Sequence, residues 1–108
     1  MANTFKSYTT GSVGTTLTNV HAVGASTSSI VLGCSVSNTT TSPIQASIKL
    51  NNNDSDNVFV VKEAPIPVGS SIEVMAGNKI VLNTSDILQV QSDTATSVDV
   101  VLNVLEIT

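Results

Sequence analysis

Arginine and tryptophan are absent from this chain of 108 residues, and cysteine, histidine and tyrosine occur once each. Each scarcity removes a class of function. Four lysines against eight acids leave a net charge of −4. The cations that neutralise nucleic-acid phosphates are therefore few, and so are the arginines and rings that read or stack on bases. An acidic surface disfavours anionic membranes, and no apolar run approaches the ~18 residues of a membrane-spanning helix. Neither nucleic acid nor membrane is an expected partner. The lone Cys34 forbids an intrachain disulfide. In the apolar run IVLGCSV (30–36) it reads as a small buried hydrophobe, whereas a catalytic thiol would want a histidine and an electropositive setting. The opening MANTFKSYTT has no basic stretch followed by an apolar one, so the expectation is of a chain that folds in a reducing cytoplasm.

The same poverty limits catalysis. A nucleophile and base could draw on many hydroxyls but only on His21, in LTNVHAV (17–23), where alternation groups it with Leu17 and Asn19 at the rim or in solvent. There is no GxSxG, and no glycine-rich loop opens a helix to cradle phosphate. No catalytic residue and no cofactor are expected, and the chain reads as non-enzymatic. One cluster has ligand chemistry: Asp54 and Asp56 in NNNDSDN (51–57) are weak candidates for a metal. The glycine and distal glutamate of a calcium loop are missing, and a hydrated turn explains the cluster without an ion.

What the chain has in quantity is Val, Ile, Thr, Ser and Asn. The first three fit the pleated surface of a sheet and the last two fit turns. IQASIKL (44–50) alternates cleanly, with Ile44, Ala46, Ile48 and Leu50 on one face. SIVLGCSVS (29–37) groups Ile30, Leu32, Cys34 and Val36. VDVVLNVLEI (98–107) is apolar on both faces, as expected of a strand that is central in its sheet or covered by another subunit. Turn clusters recur every eight to fourteen residues. The pattern predicts one all-β domain over residues 1–108, an antiparallel β-sandwich of about eight strands, Ig-like or jelly-roll-like. Ala76-Gly77-Asn78 is a turn candidate joining SIEVM to KIVLN as a hairpin, and residues 1–12 form an edge strand or an arm reaching a neighbour. KEAPIPVGSS (62–71) carries two prolines one residue apart. Proline cannot donate to a sheet ladder, so this stretch is expected to cross stiffly from one sheet to the other, with Ile66 and Val68 under the edge.

The runs IVLGCSVSNTT (30–40), VFVVKEAPIPVGSSIEV (58–74), NKIVLNTSDILQVQS (78–92) and VDVVLNVLEI (98–107), with the opening MANTFKSYTTGSVGTTLTNVHAV, resemble small all-β virion structural proteins of tailed bacteriophages, especially marine and cyanobacterial phages. The likeness spans nearly the whole chain, and its motifs are structural. It implies an accessory part of the particle, whether head decoration, neck or tail. Such a protein is made in the host bacterial cytoplasm, localised to the virion, and packs as a homo-oligomer against major capsid, neck or tail proteins. Phe5, Tyr8, Val101, Leu105 and Ile107 are the candidate assembly contacts. The alternative is a carbohydrate- or receptor-binding module of a phage tail or fibre, whose stacking platform would have to come from Phe5, Tyr8 and Phe59.

Overall fold

The alternating runs become nine strands: β1 (Asn3–Val13), β2 (Thr18–Ala22), β3 (Ser28–Asn38), β4 (Ile44–Asn51), β5 (Asn57–Ile66), β6 (Ser71–Glu73), β7 (Ile80–Leu82), β8 (Ile87–Ser92) and β9 (Val98–Ile107). They belong to a computed structural model that describes residues 3–52, 57–73 and 80–108. Among the described residues there is no helix. Two antiparallel sheets pack face to face, as expected of an all-β sandwich. The first runs β1-β9-β3, with β6 and β7 both on the far side of β3, and the second runs β2-β8-β4-β5.

The pairings follow one rule. β1 pairs β9, β2 pairs β8, β3 pairs β6 and β7, and β4 pairs β5. Partners include Asn3 with Ile107, Val13 with Val98, Thr18 with Val90, Ser29 with Leu82, Ile44 with Ile66 and Asn51 with Asn57. In all these ladders the two residue numbers total between 108 and 111. The chain is thus one long hairpin, folded about its own midpoint and then rolled, so that β9 also meets β3 and β8 also meets β4. With β6 and β7 taken as one interrupted strand, this is the eight-strand winding of a jelly roll. Between the Ig-like and jelly-roll alternatives, strand order selects the second.

The interior is aliphatic. Ile48, Ile66, Leu82, Leu88 and Leu102 are the largest fully buried side chains, joined by Val31, Val36, Val90, Val98, Val100 and Val104. Each contributes about 1.5–3 kcal/mol by leaving water. The inward face of β9 is the Val98, Val100, Leu102, Val104 set that its alternation predicts, and β9 is central, between β1 and β3.

Three expectations need correction. In β3 the register slips between Val31 and Gly33, leaving Leu32 as the extra residue of a bulge. The alternation therefore changes phase. Val31 and Ser29 face inward, and Ile30 and Leu32 face out, while Cys34 and Val36 remain in the core. The hairpin expected at Ala76-Gly77-Asn78 has its turn outside the described residues, but its two arms settle the matter. Ser71–Glu73 and Ile80–Leu82 both run antiparallel to β3, end to end along it, and do not pair with each other. The proline stretch does carry the chain from the second sheet to the first, but Pro65 still pairs with Gln45 inside the edge strand β5, where a missing donor is harmless. The turn comes next, with Ser70 N–H donating to the Pro67 carbonyl (3.2 Å) and Gly69 at φ +69°, a region glycine enters without a Cβ clash. Ile66 is fully buried as expected, but Val68 sits on the turn and is 49% exposed.

Candidate functional site

Outward positions on the first sheet line up across strands. Phe5 of β1 lies opposite Leu105 of β9, Leu105 opposite Ile30 of β3, and Ile30 opposite Val81 of β7. Directly opposed residues share a face, so these four side chains form one apolar row spanning four strands. Phe5 is 75% exposed and Val81 56%. Leu32, pushed out by its bulge, stands beside the row, and half-buried Ile107 continues it along β9. A shallow depression of about 290 Å³ opens between Phe5, Ser7, Leu32 and Asn103. Further along the same face the side chains turn polar. Ser7 donates to Asn103 Oδ1 (2.8 Å), and the Glu73 carboxylate accepts from the Cys34 amide of β3 (2.8 Å). Single exposed apolar residues are ordinary on a protein surface. A contiguous row is what sets a candidate contact surface apart from such scattered residues.

Directly beneath, on the inward side, lies a polar cluster. Tyr8 donates to Glu106 Oε2 (2.6 Å), and Lys6 Nζ is 4.0 Å from Glu106 Oε1. The Tyr8 ring stacks on His21 with centroids 4.2 Å apart. His21 Nε2 shares a hydrogen bond with Ser29 Oγ (3.1 Å) and stands 3.9 Å from Glu106 Oε2. Burial pushes the Tyr8 phenol up to about 12, helped by the hydrogen bond to Glu106 and by its charge. Burial also pulls the His21 imidazole below its ordinary value; Glu106 opposes that shift and Lys6 adds to it. A Ser–His–acid relay sets hydroxyl and carboxylate on opposite ring nitrogens. Here both meet Nε2 and Ser29 is fully buried, so the geometry of these three groups is not that of a relay. The cluster instead ties β1, β2, β3 and β9 together under the apolar row.

His21 is thus not at the rim. The register of β2 slips between Asn19 and His21, and the bulge turns both Val20 and His21 inward, leaving His21 only 5% exposed. Of the assembly candidates, Phe5, Val101, Leu105 and Ile107 share the outer face of the first sheet, whereas Tyr8 points inward to Glu106. Phe59 lies on the second sheet, flanked by Lys49 and Lys62 at 5.8 and 5.1 Å from its ring centroid. The three aromatics therefore form no common stacking platform. A second depression, about 180 Å³, is lined by polar groups including Gln45, Ser47, Glu63 and Gln91, and no aromatic borders it. Cys34 is fully buried, and burial with the nearby Glu73 charge pushes its thiol up to about 12. Asp54 and Asp56 lie outside the described residues, among which no three His, Cys, Asp or Glu side chains group as metal ligands. Alternation alone missed Ile30 and Val81 as partners of Phe5 and Leu105, because only cross-strand register joins them. No family model matches this chain, and no curated protein is significantly similar to it.

Proposed function

We propose that this chain is a non-enzymatic structural component of a tailed-phage particle, an accessory jelly roll that works by packing against copies of itself and against capsid, neck or tail proteins. The observation that carries the assembly part of the reading is the apolar row Phe5–Leu105–Ile30–Val81, set in register across four strands and backed by the Tyr8–Glu106–His21 cluster. The placement in a phage particle rests on the sequence resemblance. A disulfide-free, charge-poor domain with a Ser/Thr/Asn-rich exterior suits dense symmetric packing, where many modest contacts are multiplied by valency. Jelly rolls serve in viral capsids and in lectins alike, so fold alone favours neither this reading nor the carbohydrate- or receptor-binding one. The dispersal of Phe5, Tyr8 and Phe59 weighs against a sugar-stacking platform. Mass spectrometry of gradient-purified particles of the encoding phage tests the proposal: stoichiometric recovery of the chain is expected, and its absence from infectious particles would overturn it.

A further inference from the structure

A sandwich has four sheet edges, and an open edge is a template for another strand unless it is blunted. Two of these edges are blunted along their described residues, and a third, formed by β6 and β7, runs partly outside them. β5 carries Pro65, two register slips opposite β4, and Glu63 at φ +53° in one of them. β2 is five residues long and bulged. β1 differs from both. From Asn3 to Thr10 it pairs with β9 through eight consecutive residues without a slip. It holds no proline and no acid there, and Asn3 to Ser7 are exposed on both faces. Among the described residues no strand covers its outer side.

We propose that β1 pairs antiparallel with β1 of a second copy, about a two-fold axis through Ser7, joining two first sheets edge to edge. The register follows from the residues. Opposed residues of an antiparallel pair must share a face, so the axis passes through a residue and not between two. Centred on Lys6, it would set Lys6 against Lys6, like charges directly opposed. Centred on Phe5, it would leave Tyr8, Thr9 and Thr10 without partners in the regular run. Centred on Ser7, it pairs Thr4 with Thr10, Phe5 with Thr9, Lys6 with Tyr8 and Ser7 with its own copy, using the run from Thr4 to Thr10 in full. The one charge on this edge, Lys6, then meets a ring whose hydroxyl is bound to the Glu106 carboxylate, a cation beside an electron-rich face. Lys6 already stands 5.6 Å from the centroid of its own Tyr8, so the same pairing chemistry is repeated across the axis. The two apolar rows continue on one side of the joined sheets. A ladder of this length is a small interface, and dimerisation is expected to be weak and concentration-dependent. The inference deepens the self-association in the proposed function and is independent of placement in a particle.

Analytical ultracentrifugation of the purified chain tests it with Ser7→Lys and Ser7→Glu, exposed substitutions that set like charges across the axis and leave the core alone. The native chain is expected to move from monomer to dimer as its concentration rises. Each variant is expected to stay monomeric with an unchanged circular dichroism spectrum, and their equimolar mixture to recover the dimer as a Lys–Glu pair. Three outcomes overturn the proposal: a native chain that is monomeric at every concentration, a dimer that survives both substitutions, or a dimer abolished by Val81→Lys but not by the Ser7 variants. The last would mean stacking through the apolar face. None of them bears on whether the chain is found in particles, which the mass spectrometry reads separately.

Discussion

Asn38, at the end of β3, offers the sharpest test of how the roll is closed. It is 5% exposed, and its side chain touches two segments beyond β3. Nδ2 donates toward the carbonyls of Ser42 (2.9 Å), Ile66 (3.1 Å) and Pro67 (3.3 Å). Oδ1 accepts from the Thr40 amide and the Thr40 hydroxyl, both at 2.8 Å. A backbone N–H can only donate, which fixes the orientation of the amide. Asn38 therefore pins the proline crossover to the β3–β4 loop. In an Asn38→Ala variant the buried Ile66 carbonyl loses its side-chain donor, at about 1–3 kcal/mol, while the groups nearer solvent recover water and lose less. The expected cost is about 3 kcal/mol, a fall in Tm of about 15 °C for a domain of this size. Asn38→Asp has the same shape but aims a carboxylate oxygen at carbonyls, so it should cost more than alanine at neutral pH. Its folded-state pKa should lie above the ordinary carboxylate value, because burial and the facing carbonyls disfavour the charge. The folded form then holds a proton that the unfolded form has released. The variant should regain stability as pH falls through that raised pKa, reaching its full recovery below the unfolded value. Urea titrations followed by circular dichroism across this range measure both effects. An alanine cost below about 1 kcal/mol, or an aspartate variant with the pH profile of the native chain, would refute the pinning role.

Other outcomes follow from the cluster and the core. Because Tyr8 is the single tyrosine, tyrosinate absorbance reports it alone: the midpoint should lie at about 12 in the folded chain and near 10 in denaturant. The folded state keeps that proton longer, so stability should fall as pH rises from 10 toward 12, and Glu106→Gln should lower the folded midpoint. His21 has a depressed folded-state pKa, so the unfolded state takes up its proton first. Stability should therefore fall as pH drops below 6.5 toward the folded value, a slope that urea titrations of His21→Phe should lack. The Cys34 thiol should resist a thiol reagent in native buffer and react promptly in denaturant, and fast labelling of the native chain would contradict its burial.

Much of the fold was legible because alternation is a local property. Val98, Val100, Leu102 and Val104 could be assigned inward from period two alone, and so could Ile44, Ala46 and Ile48. Errors gathered where one extra residue entered a ladder. Leu32 and Val20 are such residues, and each shifted the phase of its strand, exposing Ile30 and Leu32 in one case and burying His21 in the other. A bulge is invisible to periodicity because it is defined by the partner strand. The β6–β7 hairpin failed for a related reason. A short turn signal looks the same whether its arms fold back on each other or run on along a third strand.

By itself the sequence determined the class of the molecule: an aliphatic, nearly charge-free interior pattern at period two, punctuated by Ser/Thr/Asn turns, can bury its apolar atoms only as packed sheets. It also restricted where a ladder could run, because Pro65 and Pro67 lack the donor wherever they stand, which leaves Pro65 an edge-strand position and Pro67 the turn. Tertiary structure alone decided which strands meet. Pairing about the midpoint of the chain brings residues a hundred positions apart into contact, as with Phe5 and Leu105 or Tyr8 and Glu106. Nothing local encodes such a meeting, since its energy exists only once both partners are in register. The apolar row, the buried histidine and the regular edge of β1 are all products of that register.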